Sequence, residues 1–234
     1  MIRIFLAHSV QLILLFFACR KENSLVHMND LRTYQYLALG DSYTIGEAIP
    51  RPSNFPNQVV SILNSAGFSF APPRIIAKTG WTTVELEKGI NEAQKEKAFL
   101  PVYDLVTLLI GVNNQYRGLS LDEYKEDFKL LLKKAIRFAG NQTGRVVVLS
   151  IPDWGVTPFA NDRDRDKVAR EIDSFNEANR EISQENKVPY MDITAWTREA
   201  INDQSLLASD GLHPSGKEYK RWAERIAATF SSMY

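Results

Sequence analysis

Short apolar runs alternate with longer amphipathic segments along most of this chain. Continuous apolar runs of this kind are typical of strands that are buried on both faces of a sheet. The five strand candidates are residues 36–39, 74–77, 105–110, 146–149 and 188–191, and the segment 105–110 is almost unbroken in its apolar character. The segments between them carry apolar residues at helical spacing, which predicts helices packed on both faces of that sheet. The chain is therefore predicted to be an α/β protein, a three-layer α/β/α sandwich with a central, mostly parallel sheet of about five strands.

Capping signals mark helix starts in addition to this periodicity. Thr82 with Glu85, and Ser120 with Glu123, have the spacing of a capping box. The predicted helices are residues 54–66, a segment from Thr82 through Ile90, a segment from Ser120 through Phe138, residues 167–186 and residues 216–231. In parallel sheets, ligands bind beyond the carboxyl ends of the strands, so functional residues are expected in the loops there. These loops start at Gly40, Lys78, Gly111, Ser150 and after Met191.

The first nineteen residues have the character of an export signal. One arginine supplies a positive charge, and the apolar stretch over residues 4–18 is shorter than the roughly 20 residues that span a bilayer. The single cysteine, Cys19, follows directly, as in bacterial lipoprotein signals, in which this residue is lipidated. The pattern predicts a signal peptide over residues 1–19, a tether over 20–33 and a folded domain over 34–234, exported and anchored to a membrane. The alternatives are an ordinary secretory signal, an uncleaved anchor and a buried N-terminal helix.

The charge balance and the cysteine and histidine counts exclude several kinds of site. Lys plus Arg and Asp plus Glu each number 28, so the formal net charge is zero and no nucleic-acid partner is predicted. With one cysteine, neither an intramolecular disulfide nor a cysteine-based zinc site can form. Of the three histidines, only His213 lies in the predicted folded domain, so a metal centre is not expected.

His213 is therefore the only imidazole that could act as a general base in this domain. It lies in the segment Ser-Asp-Gly-Leu-His-Pro, between a polar loop and the last predicted helix. Asp210 is three residues earlier, and in a tight turn its carboxylate can reach the imidazole and stabilise the imidazolium. A surface histidine beside a helix start has the same spacing, so the pair alone does not establish catalysis.

Three further loops carry candidate groups at the predicted carboxyl edge of the sheet. Ser42 follows the first strand, where backbone N–H groups can stabilise an oxyanion, although Ser is also a common helix cap. Gly80 follows the second strand and can offer an unobstructed backbone N–H or simply form a turn. Asn113 follows the third strand, and its amide can donate to an oxyanion or cap a helix.

These blocks, in this order, resemble those of the SGNH (GDSL-type) hydrolase family. The matching blocks are Gly40-Asp41-Ser42-Tyr43, Gly80, Gly111-Val112-Asn113-Asn114 and Asp210-Gly211-Leu212-His213. Tyr43 and Asn114 stand where the family usually has Leu and Asp. The resemblance extends from Tyr34 to the C-terminus and implies an SGNH/flavodoxin-like hydrolase domain over residues 34–234.

The resemblance implies a serine hydrolase mechanism. Ser42 is then the nucleophile, His213 accepts its proton and later activates water, and Asp210 orients His213. The backbone N–H groups of Ser42 and Gly80 and the side chain of Asn113 form the implied oxyanion hole. The family implies neither a metal ion nor an organic cofactor.

Substrate contacts are expected in the loops beside these residues. Trp154 and Phe159 either form the wall of an acyl or sugar pocket or pack their loop onto the sheet, and Asn114 is a third candidate. We expect an esterase for short-chain or O-acetyl esters on a small molecule or a glycan. The alternatives are a lysophospholipase or thioesterase, and a non-catalytic glycan-binding lipoprotein.

Overall fold

A parallel sheet of five strands forms the centre of the computed structural model, which describes residues 32–233. The strands are β1 (Tyr36–Gly40), β2 (Arg74–Ala77), β3 (Leu105–Leu109), β4 (Val146–Leu149) and β5 (Tyr190–Met191). Their spatial order is β2-β1-β3-β4-β5. Every residue of β1, β3 and β4 is buried, which explains why these segments are apolar in the sequence except at Thr107 of β3.

Eight α-helices accompany the sheet within residues 32–233. They are α1 (Ser42–Ile45), α2 (Phe55–Ser65), α3 (Thr83–Ala93), α4 (Val112–Tyr116), α5 (Leu121–Phe138), α6 (Arg165–Glu185), α7 (Thr194–Thr197) and α8 (Gly216–Ser231). α2 packs along α8, whereas α3 packs on α5 and α5 packs on α6. These helices and the parallel sheet confirm the predicted three-layer α/β/α fold.

The predicted elements differ from the observed ones mainly where the segments are short. α1, α4 and α7 have no counterpart among the predicted helices, because four or five residues are too few to show helical periodicity. β5 has two residues, half the length of the predicted strand, because only Tyr190 and Met191 pair with β4. Both predicted capping signals lie at helix starts: Glu85 accepts the N–H of Thr82 before α3, and Ser120 caps α5.

The strand register brings three loops to the same place. Gly40, at the end of β1, is paired with Ala77 at the end of β2 and with Leu109 at the end of β3. Because the strands are parallel, the loops that follow them emerge side by side at the carboxyl edge of the sheet. Ser42 and Asn113 therefore start from neighbouring strands although they are far apart in the sequence.

The predicted signal peptide, Cys19 and most of the predicted tether lie outside the described residues, so export and lipidation stay predictions. The structure describes only the last two residues of the tether, 32 and 33. Among residues 32–233, no helix has the length and apolar character needed to cross a bilayer.

Candidate active site

Ser42, His213 and Asp210 form a hydrogen-bonded chain at the carboxyl edge of the sheet. The hydroxyl oxygen of Ser42 is 2.9 Å from Nε2 of His213, and Nδ1 of His213 is 2.6 Å from a carboxylate oxygen of Asp210. Ser42 and His213 are each only 5% exposed, so water competes little for these bonds. A serine hydroxyl beside an imidazole that a carboxylate orients has the arrangement of an activated nucleophile.

A tight turn holds Asp210 against His213. One carboxylate oxygen of Asp210 accepts hydrogen bonds from the backbone N–H groups of Leu212 and His213, each at 3.0 Å. Burial acts to raise the pKa of Asp210, but the bonds from the His213 ring and the two N–H groups outweigh it and lower the pKa below its ordinary value. Asp210 therefore stays ionised near neutral pH and can stabilise a positively charged imidazole.

Ser42 is the first residue of α1, and only Asp41 separates it from the end of β1. Asp41 caps this short helix, because its carboxylate accepts the backbone N–H of Tyr43 at 3.0 Å. The ring of Tyr43 packs against the imidazole of His213, with 4.8 Å between the ring centroids. One short segment thus presents the serine and also supports the histidine.

The carboxyl group of Asp41 is fully buried next to Ser42. It accepts the N–H of Tyr43 and, at 3.4 Å, the side-chain amide of Asn113. Burial raises the pKa of Asp41 to about 7, and these hydrogen bonds oppose burial only in part. A carboxyl group whose pKa rises on folding costs stability as the pH increases, because the unfolded chain releases its proton first.

Replacing Asp41 with asparagine should therefore stabilise the protein more at high pH than at low pH. Between about pH 4 and about pH 7 the unfolded chain has lost a proton that folded Asp41 still binds, so the wild-type unfolding free energy falls through this window. Asparagine can still cap α1 and does not titrate. The difference in unfolding free energy, Asp41→Asn minus wild type, should rise by roughly 2–4 kcal/mol from about pH 4 to about pH 8. Denaturant unfolding at both pH values measures this difference, and a constant difference contradicts the prediction.

A tight turn over residues 78–81 follows β2. The N–H of Trp81 donates to the carbonyl of Lys78 at 3.2 Å, and Gly80 has a φ of +80°. A positive φ at the third position is typical of a type II turn and favours glycine. The turn type fixes the orientation of the peptide between Thr79 and Gly80, and therefore the direction of the Gly80 N–H.

Asn113 lies on α4 beside this turn. Its side-chain amide donates to the carbonyl of Trp81 at 3.0 Å and to Asp41 at 3.4 Å. The longer bond is the weaker of the two, so the N–H that makes it is more readily given up to a negatively charged oxygen in the cleft. Gly111, before α4, has a φ of +132°, and a Cβ there would lie 2.5 Å from the hydroxyl oxygen of Tyr124. Glycine is therefore required for this loop to approach so closely.

These groups open into one cleft of about 150 Å³. It is lined by Ser42, Tyr43, Thr79, Gly80, Val112, Asn113, Tyr116, Trp154, Phe159, Leu212 and His213. Three of these residues form an aromatic wall: the ring of Trp154 meets Tyr116 edge-on at 5.3 Å, and Phe159 lies 6.0 Å from both rings. The cleft thus joins hydrogen-bonding groups around the serine to an apolar surface, as small-molecule sites usually do.

The model of the GDSL-like lipase/acylhydrolase family matches residues 38–221, which is most of the chain. The chain belongs to this family. Together with the cleft described above, membership identifies it as a carboxylic ester hydrolase. Among curated proteins, no sequence matches the chain significantly.

Several solved structures have the same fold. The lipase/acylhydrolase from Enterococcus faecalis has a TM-score of 0.66 at 18% identity, over 86% of this chain and 96% of its own. TesA has a TM-score of 0.65 at 17% identity, over 87% and 100%. Axe2, an acetylxylan esterase from Geobacillus stearothermophilus, has a TM-score of 0.61 at 21% identity, over 84% and 94%. At these identities the likeness establishes the fold of this GDSL-family hydrolase, not its substrate.

The residues expected to carry the chemistry come together in this GDSL-family structure. Ser42, Gly80, Asn113 and His213 line the cleft, and Asp210 is bonded to His213. Within residues 32–233, no group of three or more His, Cys, Asp or Glu side chains is arranged to hold a metal ion.

Trp154 and Phe159 combine the two roles that the sequence left open, because they line the cleft and also pack their loop. Trp154 is only 5% exposed, and its ring N–H donates to the side-chain oxygen of Gln115 at 2.7 Å. Gln115 in turn donates to Glu171 of α6 at 2.8 Å. Phe159 is 49% exposed and forms the outer part of the wall. The inner wall is therefore held rigidly and the outer wall is open to solvent.

The expectation that Asn114 contacts substrate requires correction. The side chain is 3% exposed and does not line the cleft. Its oxygen accepts the N–H of Thr83 at 3.1 Å, and its amide donates to the hydroxyl of Thr83 at 2.9 Å. Both polar ends of Asn114 thus fasten α4 to the start of α3, a supporting role for the residue that replaces the family's usual Asp.

Three residues of the site have no sequence signal of their own. Gln115, Tyr116 and Arg117 follow directly after Asn114, yet no motif marks them. The only hint is their position in the loop after the third strand, which the parallel fold directs to the carboxyl edge. Their contacts are with residues 32 to 56 positions away and therefore depend on the tertiary fold.

Proposed function

We propose that this hydrolase cleaves short-chain carboxylic esters, including O-acetyl groups on carbohydrate, through an acyl-serine intermediate at Ser42. The observation that carries the proposal is the chain of bonds from Ser42 through His213 to Asp210, at 2.9 and 2.6 Å. A buried serine–imidazole pair whose imidazole is bonded to a carboxylate is the arrangement that nucleophilic acyl transfer needs.

Acylation would begin with attack of the Ser42 hydroxyl oxygen on the ester carbonyl. His213 takes the hydroxyl proton at Nε2 and passes it to the leaving alcohol, while Asp210 stabilises the imidazolium. The backbone N–H groups of Ser42 and Gly80 and the amide of Asn113 would donate to the oxyanion. The weak 3.4 Å bond from Asn113 to Asp41 supports this role, since it can be exchanged for a stronger bond to a charged oxygen.

Deacylation would repeat these steps with water as the nucleophile. His213 removes a proton from the water molecule, which attacks the acyl carbon and releases the carboxylic acid and the free Ser42 hydroxyl. The same oxyanion donors serve both steps, because both tetrahedral intermediates place negative charge on the same oxygen.

The dimensions of the cleft favour a small acyl group. Its volume of about 150 Å³ is well below the roughly 300–1,000 Å³ of most ligand pockets. The aromatic wall of Tyr116, Trp154 and Phe159 offers flat apolar faces on which a sugar ring could lie. Axe2, named as an acetylxylan esterase, has the same fold, which is consistent with an acetylated carbohydrate as substrate.

A lysophospholipase or thioesterase activity is the second candidate. Tyr116 is 44% exposed and Phe159 is 49% exposed, so the outer wall leaves apolar surface open at the mouth of the cleft. A long acyl chain could extend over these rings, and each Å² of apolar surface buried in this way would contribute about 25 cal/mol to binding.

Hydrolysis of p-nitrophenyl esters from acetate to laurate by the full chain tests these candidates, with Ser42→Ala as the blank. We expect kcat/KM to be highest for acetate or butyrate, because a cleft of about 150 Å³ favours a short acyl chain. A maximum at octanoate or laurate would favour the second candidate. Equal rates for wild type and Ser42→Ala would contradict the serine mechanism for either substrate class.

A further inference from the structure

The segment from Asn113 to Arg117 is bonded to the 78–81 turn and the start of α3 at successive points. Asn114 binds Thr83, Asn113 binds the carbonyl of Trp81, and Arg117 binds the carbonyl of Gly80. The first two bonds are made by partly or fully buried amides. Arg117, just after α4, makes the outermost bond, and its side chain is 44% exposed.

The guanidinium group of Arg117 connects the turn to the cap of α3. Nη2 donates to the carbonyl oxygen of Gly80 at 2.5 Å, and Nη1 donates to Glu85 at 3.3 Å. The same oxygen of Glu85 accepts the N–H of Thr82 at 2.8 Å. This backbone bond, with the nearby guanidinium, lowers the pKa of Glu85, so the carboxylate stays charged and keeps Arg117 in place.

The opposite side of the turn is also held by a side chain. The hydroxyl of Thr79 donates to the carboxylate of Glu47, which follows α1. Types I and II of a β-turn differ in the orientation of their central peptide, and that peptide carries the N–H of Gly80. A glycine without side-chain contacts could change between the two types easily.

We propose that Arg117 is a positioning residue that keeps the Gly80 turn in the orientation whose N–H can donate to the oxyanion. The inference rests on the proposed function, because it requires Gly80 to be an oxyanion donor. The bond from Arg117 to the carbonyl of Gly80 restrains the peptide next to the one that carries the Gly80 N–H. A displacement of about 1 Å in a group that positions the reaction can cost about 10²-fold in rate. As a partly exposed ion pair at the surface, Arg117–Glu85 adds little to the stability of the fold.

Arg117→Gln removes the guanidinium and its pairing with Glu85 and tests this proposal. We expect kcat to fall by about 10- to 100-fold, with KM changed by less than about threefold, because the lost interaction matters mainly in the transition state. Arg117→Lys should retain part of the activity, since an ammonium group can still donate to the Gly80 carbonyl. Arg180→Gln is the matched control: Arg180 has 49% side-chain exposure and pairs with Glu177 on α6.

Two inhibitors separate positioning of the oxyanion donor from general structural damage. A methyl trifluoromethyl ketone forms a tetrahedral adduct with an oxyanion, so its inhibition constant should rise by about the factor by which kcat/KM falls. The rate at which a fluorophosphonate labels Ser42 should fall as well, and this readout needs no ester substrate. The melting temperatures of the Arg117 variants and of the Arg180→Gln control should stay close to that of the wild type.

The outcomes distinguish this proposal from the proposed function. If Arg117→Gln keeps wild-type kcat and labelling rate while Ser42→Ala is inactive, the positioning role is wrong and the serine mechanism stands. A rate loss without weaker binding of the trifluoromethyl ketone also overturns the positioning role. If wild type labels at Ser42 but hydrolyses no short ester, the proposed substrate class is wrong, and the labelling comparison still tests Arg117.

Discussion

Replacing Ser42 with alanine should lower kcat by at least about 10⁴ while the protein keeps its fold. The hydroxyl that attacks the ester is lost, and with it the bond to His213 through which the nucleophile is activated. The N-terminal cap of α1 does not depend on this hydroxyl, because the carboxylate of Asp41 forms the capping hydrogen bond with the N–H of Tyr43. The unfolding free energy should therefore change by less than about 1 kcal/mol, and circular dichroism with thermal unfolding measures it.

The double variant Ser42→Ala/His213→Ala tests whether Ser42 and His213 act together as one catalytic unit. When a nucleophile and its base act as one unit, removing both costs about as much as removing either one. We therefore expect the double variant to have nearly the residual rate of Ser42→Ala. A further large drop in the double variant would mean that the bond at 2.9 Å does not reflect a joint catalytic role.

Gly80→Ala should lower kcat by about 10²–10³, with a much smaller effect on KM. Alanine disfavours the positive φ of +80°, so the turn should shift toward a type that redirects the Gly80 N–H away from the oxyanion. An added Cβ would meet only the Arg117 guanidinium, at 3.6 Å, so steric damage is small. Steady-state kinetics with p-nitrophenyl acetate, together with unfolding in denaturant, measures both effects.

Gly67→Ala provides the matched control for this backbone effect. Gly67 also has a positive φ, +95°, and a Cβ there would meet nothing within 4 Å. Both variants should lose about 1 kcal/mol of stability, because alanine is strained in this region. Only Gly80→Ala should lose activity. Equal kcat values for the two variants would contradict the role of Gly80 as an oxyanion donor.

Much of the fold could be predicted from local sequence patterns. The strand at Val146–Leu149 and the helix at Gly216–Ser231 have their predicted bounds. The unbroken apolar run of the first is typical of a buried strand, and the strong amphipathic pattern of the second is typical of a helix. The contact between Asp210 and His213 could be predicted because the two residues are only three positions apart in a turn, so their spacing in the sequence already indicates that they meet.

The supporting parts of the site were not predictable in the same way. The bond between Asn114 and Thr83 joins residues 31 apart, and that between Trp154 and Gln115 joins residues 39 apart. Nothing in the local sequence around Asn114 distinguishes an amide that holds another loop from one that faces substrate. Contacts of this kind depend on the strand register, which only the folded structure reveals.

The most direct test of the central claim is to locate the acyl intermediate. The full chain is mixed with p-nitrophenyl acetate and quenched with acid at short times, and its peptides are mapped by mass spectrometry. We predict an acetyl group on the hydroxyl of Ser42 that appears within the first turnover, is lost as the ester is consumed and is absent from Ser42→Ala. Hydrolysis at the normal rate with acetyl found on another residue, or in Ser42→Ala, would contradict the mechanism.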